Sequence, residues 1–145
     1  MMEYWKTILK ADPTNWLLED NNPSVRFFTL KDILDMSDSD QTVQEAKESI
    51  MQKGYVVDLL AMQNTEDYLK TYPRFYTHKY KGLVWSLISL AEWNALPTPQ
   101  IIKQCEYLLE HSQEIIDGGF SQNTAIKAGG GRVNEVIPCL TGNLV

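Results

Sequence analysis

Apolar side chains along this chain recur at three- and four-residue spacing, and no stretch between turn residues sustains a period of two. The pattern therefore predicts helices and no strand. Asp12-Pro13 and Asn22-Pro23 each set a capping side chain before a proline at a first helical position, which marks two helix starts. After Pro23, Val25, Phe28, Ile33 and Leu34 predict an amphipathic helix ending near Met36, and Ser37 to Asp40 a short polar connection. A further helix is expected from about Asp40 to Lys53, with Gly54 in a left-handed C-cap. Val56, Val57, Leu59, Leu60 and Met62 then form a shorter apolar segment that closes near Gln63.

From Asn64 to Thr77 the pattern breaks. Tyr68, Tyr72, Phe75 and Tyr76 alternate with charges and Pro73, which predicts a long ordered loop of the kind often tied to function. Tyr80 to Asn94 is the strongest helix signal, apolar nearly all round, and such a helix needs neighbours on most sides. Leu96-Pro97-Thr98-Pro99 ends it and starts the next helix, with Thr98 as cap and Pro99 in the first turn. The stripe of that helix is Ile101, Ile102, Cys105, Leu108 and Leu109, and its end falls at Ser112 or Gln113. Asp117-Gly118-Gly119 is a turn signature, and Ser121 to Glu135, with Gly129-Gly130-Gly131, reads as a mobile loop. Val136 to Val145 opens another apolar helix, and a chain that stops there reads as unfinished.

Composition narrows the function classes. A length of 145 residues with 43% hydrophobic content suits one cooperative domain with one core. The formal charge of −6 would meet a phosphate backbone with like charge, so nucleic acid is not an expected partner. Two cysteines, Cys105 and Cys139, are too few for a disulfide framework, and Met1 to Lys10 does not read as a signal peptide. A reducing cytoplasm is the expected location. The longest strongly apolar stretch, Gly82 to Ala91, is about half of the roughly 20 residues that span a bilayer, so no membrane span is expected.

Two portions of the chain share an order of parts: a helix, a glutamine, an aromatic or glycine-rich loop, then an apolar helix with glycine in its first turn. The first has Gln63 and Tyr80-Lys81-Gly82-Leu83-Val84-Trp85; the second has Gln113, Asp117-Gly118-Gly119-Phe120 and Leu140-Thr141-Gly142-Asn143-Leu144. Gly82 and Gly142 lie about 60 residues apart, near the longer helical-repeat periods once a loop insertion is allowed. Tyr107-Leu108-Leu109-Glu110-His111-Ser112-Gln113 followed by Asp117-Gly118-Gly119-Phe120-Ser121 resembles the repeat of squalene-hopene cyclases and protein prenyltransferase β subunits. Tyr80 to Trp93 looks like the helix that follows such a loop, and Asn22 to Leu30 resembles a HEAT-like helix. The whole is also similar to small prokaryotic prenyltransferase-like proteins. The resemblance implies an all-α fold of helical hairpins: a single domain over 1–145, HEAT-like over 1–40 and a partial α/α toroid over 41–145.

What the resemblance implies about chemistry is a scaffold without the family's reacting groups. Class II terpene cyclases use an Asp-x-Asp-Asp acid, and Asp38-Ser39-Asp40 lacks the last residue. Protein prenyltransferases hold zinc with an Asp two positions before a Cys, and neither Cys105 nor Cys139 has one. Cys105, Cys139, His78, His111 and Asp117 show no short-spaced ligand pair, so no metal and no cofactor is expected. Both cysteines read as packing residues. Gly129-Gly130-Gly131-Arg132 lacks the Lys-Ser or Lys-Thr of a phosphate loop and reads as a linker. Arg26 is expected in a salt bridge to Asp32 or Glu19.

No catalytic residue is assigned. The aromatic group Tyr68, Tyr72, Phe75, Tyr76, Tyr80, Trp85 and Trp93 can cover hairpin ends, or can line a cavity where aromatic faces hold apolar chains. The ligand-binding reading places Tyr76, His78, Tyr80 and Trp85 near a cavity for an apolar or isoprenoid-like small molecule. The alternative is a helical-repeat interaction module that docks a protein, or a second copy, through the C-terminal edge from Val136 to Val145.

Overall fold

A computed structural model describes residues 8–64, 68, 76–114, 116, 118–122 and 135–145, with the side chain of Tyr80 outside the description. The chain is all-α. Among the described residues no strand forms, and backbone pairing outside helices is limited to isolated bridges, Gln113 with Phe120 and Ser121 with Val136. No helix of these residues is long and apolar enough to cross a membrane. The contacts divide the chain into two compact units, Met1–Val57 and Asp58–Val145.

In the first unit, α1 (Thr14–Leu17) is a single turn with no buried residue. α2 (Pro23–Phe28) starts as expected: Asn22 Oδ1 accepts from Val25 N at 3.4 Å, and Pro23 occupies the first turn. It does not run on as α-helix. Thr29–Ile33 widens to a π turn, with Leu34 N donating to Thr29 O five residues back at 3.0 Å. Thr29 Oγ1 bonds back to Val25 O at 2.7 Å, a side-chain intrusion of the type that bends helices.

The expected apolar face is not the buried one, and the departure begins inside α2, ahead of the π turn. Phe27 and Leu30 enter the core, while Val25 and Ile33 are exposed. α3 (Gln41–Ser49) is capped by Asp40, whose side chain accepts from Thr42 N at 2.8 Å. α2 packs on α3, and Phe27, Leu30, Val43, Ala46, Ile50 and Val56 form the core of this unit. α3 stops short of the expected Lys53 because the bonds after Ser49 tighten: Ile50 N reaches Lys47 O and Gln52 N reaches Ser49 O, three residues back. Gly54 does adopt the left-handed conformation, at φ 81°. A Cβ there would sit 3.0 Å from Pro23 Cδ, so both backbone and space require glycine.

α4 (Tyr55–Gln63) crosses the division between the units. In the second unit a 3-10 turn, Lys79–Lys81, leads to Gly82, whose extended backbone forms the N-cap of α5 (Leu83–Glu92). α5 thus begins later than the apolar run suggests. Its C-terminus is a Schellman motif. Asn94, at φ 58°, takes the left-handed position, with Asn94 N bonded to Ala91 O and Ala95 N to Leu90 O. α6 (Pro99–Ser112) opens as the sequence indicates, with Thr98 Oγ1 accepting from Ile101 N at 3.2 Å, and ends where expected. α7 (Pro138–Leu144) closes the described chain. The core here is Tyr68, Leu83, Val84, Leu87, Leu90, Leu108, Phe120 and Leu140. The paired glycines of the sequence occupy unlike places: Gly82 caps α5, whereas Gly142 lies within α7 with open space around it.

Candidate apolar ligand site

α5 is apolar on more faces than one neighbour can cover. Leu83, Val84, Leu87 and Leu90 are buried, and α6 packs against the helix. Leu87, Ile88 and Ala91 of α5 and Cys105, Leu108 and Leu109 of α6, together with Phe120, Asn143 and Leu144, line a cavity of about 260 Å³. The spacing explains the wall. Ile88 and Ala91, and Cys105, Leu108 and Leu109, are three- and four-residue neighbours on their helices, so each set forms one continuous apolar ridge.

Phe120 is held in this wall by backbone bonds rather than by a helix. Ser121 N donates to Ser112 O and Ser112 Oγ donates to Ser121 O, both at 2.9 Å, with both serines fully buried. Phe120 N donates to Thr141 Oγ1 at 2.9 Å and Ile137 N to Phe120 O at 3.1 Å, which joins the end of α6 to the start of α7 through one aromatic residue. The Gly-Gly-aromatic turn singled out in the sequence leads into this ring. Gly118, at φ 75°, makes the turn, and Glu114 N closes it on Gly119 O at 2.7 Å.

The second unit also holds a buried polar cluster, of which the sequence singled out Gln63 and Tyr68 separately. Gln63, Gln104 and Tyr68 are all buried. Gln63 Oε1 accepts from Gln100 Nε2 at 3.3 Å and from Gln104 Nε2 at 3.2 Å, while Gln63 Nε2 donates to the Tyr68 hydroxyl at 3.4 Å. Gln100 Nε2 also reaches Leu60 O at 3.3 Å. One side chain thereby ties the end of α4 to two turns of α6. The matching Gln113 is half-buried, and its Nε2 donates to Gly118 O at 3.4 Å.

Of the aromatic candidates, Tyr76 and Trp85 are brought together. Their rings stack with centroids 5.7 Å apart, and Trp85 Nε1 donates to Tyr76 O at 3.1 Å. Trp85 lies one turn before Ile88 on α5, so this stack stands beside the cavity wall on the same helix. Tyr76, His78 and Trp85 are not among the described residues that line the cavity. His78 is exposed just before the 3-10 turn, and the backbone of Tyr80 lies within that turn. Tyr72, Phe75, most of the expected tyrosine-rich loop, Asp117 and the Gly129-Gly130-Gly131-Arg132 segment lie outside the described residues.

The cysteines correct the packing expectation. Both are exposed. Cys105 stands at the rim of the cavity because the apolar stripe of α6 is wider than its contact: Leu108 is buried, but Ile102 and Leu109 remain about half exposed, at 49% and 52%. Burial of its thiol, and secondly the charge of Glu106, push the Cys105 thiol above its ordinary value, so it is protonated at neutral pH and a weak nucleophile. Arg26 forms the expected kind of salt bridge, with Asp20 as the carboxylate in place of Asp32 or Glu19. Among the described residues no group of His, Cys, Asp and Glu side chains could hold a metal ion.

Asn143 and the cavity itself escaped the sequence reading, although a signal existed. Ile102, Cys105 and Leu109 added to Ile101 and Leu108 make a stripe too broad for one neighbouring helix. No protein-family model matches this chain, and no curated protein or solved structure is significantly similar to it.

Proposed function

We propose that the second unit binds a small apolar molecule in the cavity between α5, α6 and α7, on a scaffold related to the α/α toroids. The observation that carries this reading is the lining: aliphatic side chains and one phenyl ring, with Asn143 and the Cys105 thiol bringing the polar atoms among the described residues. Such a surface gains by transfer of apolar area from water, about 25 cal/mol per Å² covered. Sites of this kind are mostly apolar with few placed polar groups. The Tyr76–Trp85 stack extends the apolar surface one turn further along α5 and carries the isoprenoid-like part of the proposal.

The test is a native mass spectrum of the purified chain beside its denatured mass, repeated for Ala91→Trp. Ala91 is an exposed cavity residue, so an indole there fills the space without entering the core. The expected result is excess mass of a small organic molecule on the parent chain and none on the variant. A bare monomer that also takes up no added toluene would sink the reading. A second reading, self-association through the same face, is favoured by the half-exposed Ile102 and Leu109 beside the cavity. It predicts a bare dimer that Leu109→Glu dissociates.

A further inference from the structure

The cavity wall discriminates between apolar molecules that share a chain and differ in their head group. No charged side chain occurs among the described residues that line it. An anion entering it would lose hydration and meet no counter-charge, which is the expensive case of burial. Glu106, close enough to act on Cys105, adds negative charge on the α6 side. The wall is not featureless, however. Asn143 Nδ2 donates to Cys139 O at 2.7 Å. A carbonyl oxygen can only accept, so the amide orientation is fixed by that bond and Asn143 Oδ1 is left as an acceptor on a residue that lines the cavity. A hydroxyl group supplies the donor that this oxygen needs. A carboxylate or phosphate at neutral pH brings acceptors to an acceptor.

We infer that the cavity selects uncharged chain molecules with a single hydrogen-bond donor, medium-chain alcohols, against carboxylates and phosphates of the same length. This rests on the ligand-binding reading above. Size agrees: at about 30 Å³ per water-sized group, a volume of about 260 Å³ holds roughly eight or nine such groups, the length of octanol.

Calorimetric titration of the full chain with octanol, octanoate and toluene tests it. The titrations are run at neutral pH in ~1 M NaCl, where screening over about 3 Å removes the repulsion of distant charges. Octanol is expected to bind at least about tenfold more tightly than octanoate. Asn143→Leu, at an exposed position, is expected to weaken octanol about fivefold relative to toluene measured on the same variant. Octanoate binding within about twofold of octanol overturns the selectivity while the ligand-binding reading stands. Octanol affinity unchanged relative to toluene in Asn143→Leu overturns the role of the amide oxygen. Failure of all the probes, toluene included, overturns both the inference and the reading beneath it.

Discussion

Two cavities of similar size differ in what their walls already have. In the first unit Asp20, Pro23, Arg26, Glu45, Ala46, Ser49 and Lys53 line about 210 Å³, and three of the four charges there engage one another: Asp20 pairs with Arg26 and lies 3.8 Å from Lys53, while Glu45 accepts from Gln41. Those pairs are largely solvated, with Asp20 71% exposed, and a ligand would have to compete with them. In the second unit the described residues that line the apolar cavity carry no charge pair, and Ala91 and Leu109 among them stay exposed. The lesson is that opposite charges around a hollow describe a staple more readily than a site, whereas exposed apolar ridges leave apolar area uncovered.

The comparison is sharpened first by its core. Leu90→Ala, behind the cavity wall and almost fully buried, is expected to destabilise the chain by about 2–5 kcal/mol in denaturant unfolding, since the space left cannot collapse fully. A loss under about 1 kcal/mol would mean that the second unit is loosely packed and its cavity an accident of that looseness.

Next comes a paired substitution, one in each polar group. Gln63→Leu strands the buried amide of Gln104 and is expected to lower stability by about 1–3 kcal/mol. Arg26→Met is expected to change it by less than about 1 kcal/mol, because the pair it breaks is exposed on one side. It also removes a buried Nε for which the described residues offer no partner. Equal losses in the two variants would break the contrast between a solvated staple and a buried network.

The smallest effect is a titration. The hydrogen bond from Lys31, and then its charge, lower the Asp38 carboxyl below its ordinary 3.8, with Lys31 Nζ at 2.8 Å. A carboxyl lowered on folding contributes stability above its unfolded value, and that contribution fades as pH falls through the lowered one. Carbon-13 NMR is expected to place its midpoint below 3.8 and to move it up in Lys31→Met or in concentrated salt. An unmoved midpoint would show that Lys31 spends its time elsewhere.

What was legible in the sequence was whatever a few neighbouring residues decide. Asn22-Pro23 and Thr98-Pro99 start helices because a cap side chain and a fixed φ act within one turn, and the all-α class follows from spacing alone. The buried face of α2 departs from the expected one already at Val25 and Phe27, because Val25, Phe27 and Phe28 are all apolar and spacing alone does not say which of them faces the core. The aromatic pair Tyr76 and Trp85 could be picked out by composition, and the two rings do meet. The cavity was marked only on one side, by the broad stripe of α6, because its wall joins Leu87, Leu108, Phe120 and Asn143, residues that only packing brings to one place. Asn143 in particular reads as an ordinary helix residue until its amide is seen to be oriented by Cys139 O.

The serine clasp between Ser112 and Ser121 makes part of the second unit suited to engineering. Its bonds fasten the excursion at its own ends, so the ring of Phe120 is seated from outside the excursion rather than by its tip, where Ile116 is 84% exposed. Lengthening a loop whose ends are already held adds only about 0.6 kcal/mol of closure entropy per doubling. An epitope or a reporter domain spliced in beside Ile116 would therefore ride on the protein as a passenger, leaving the wall it hangs from as it was.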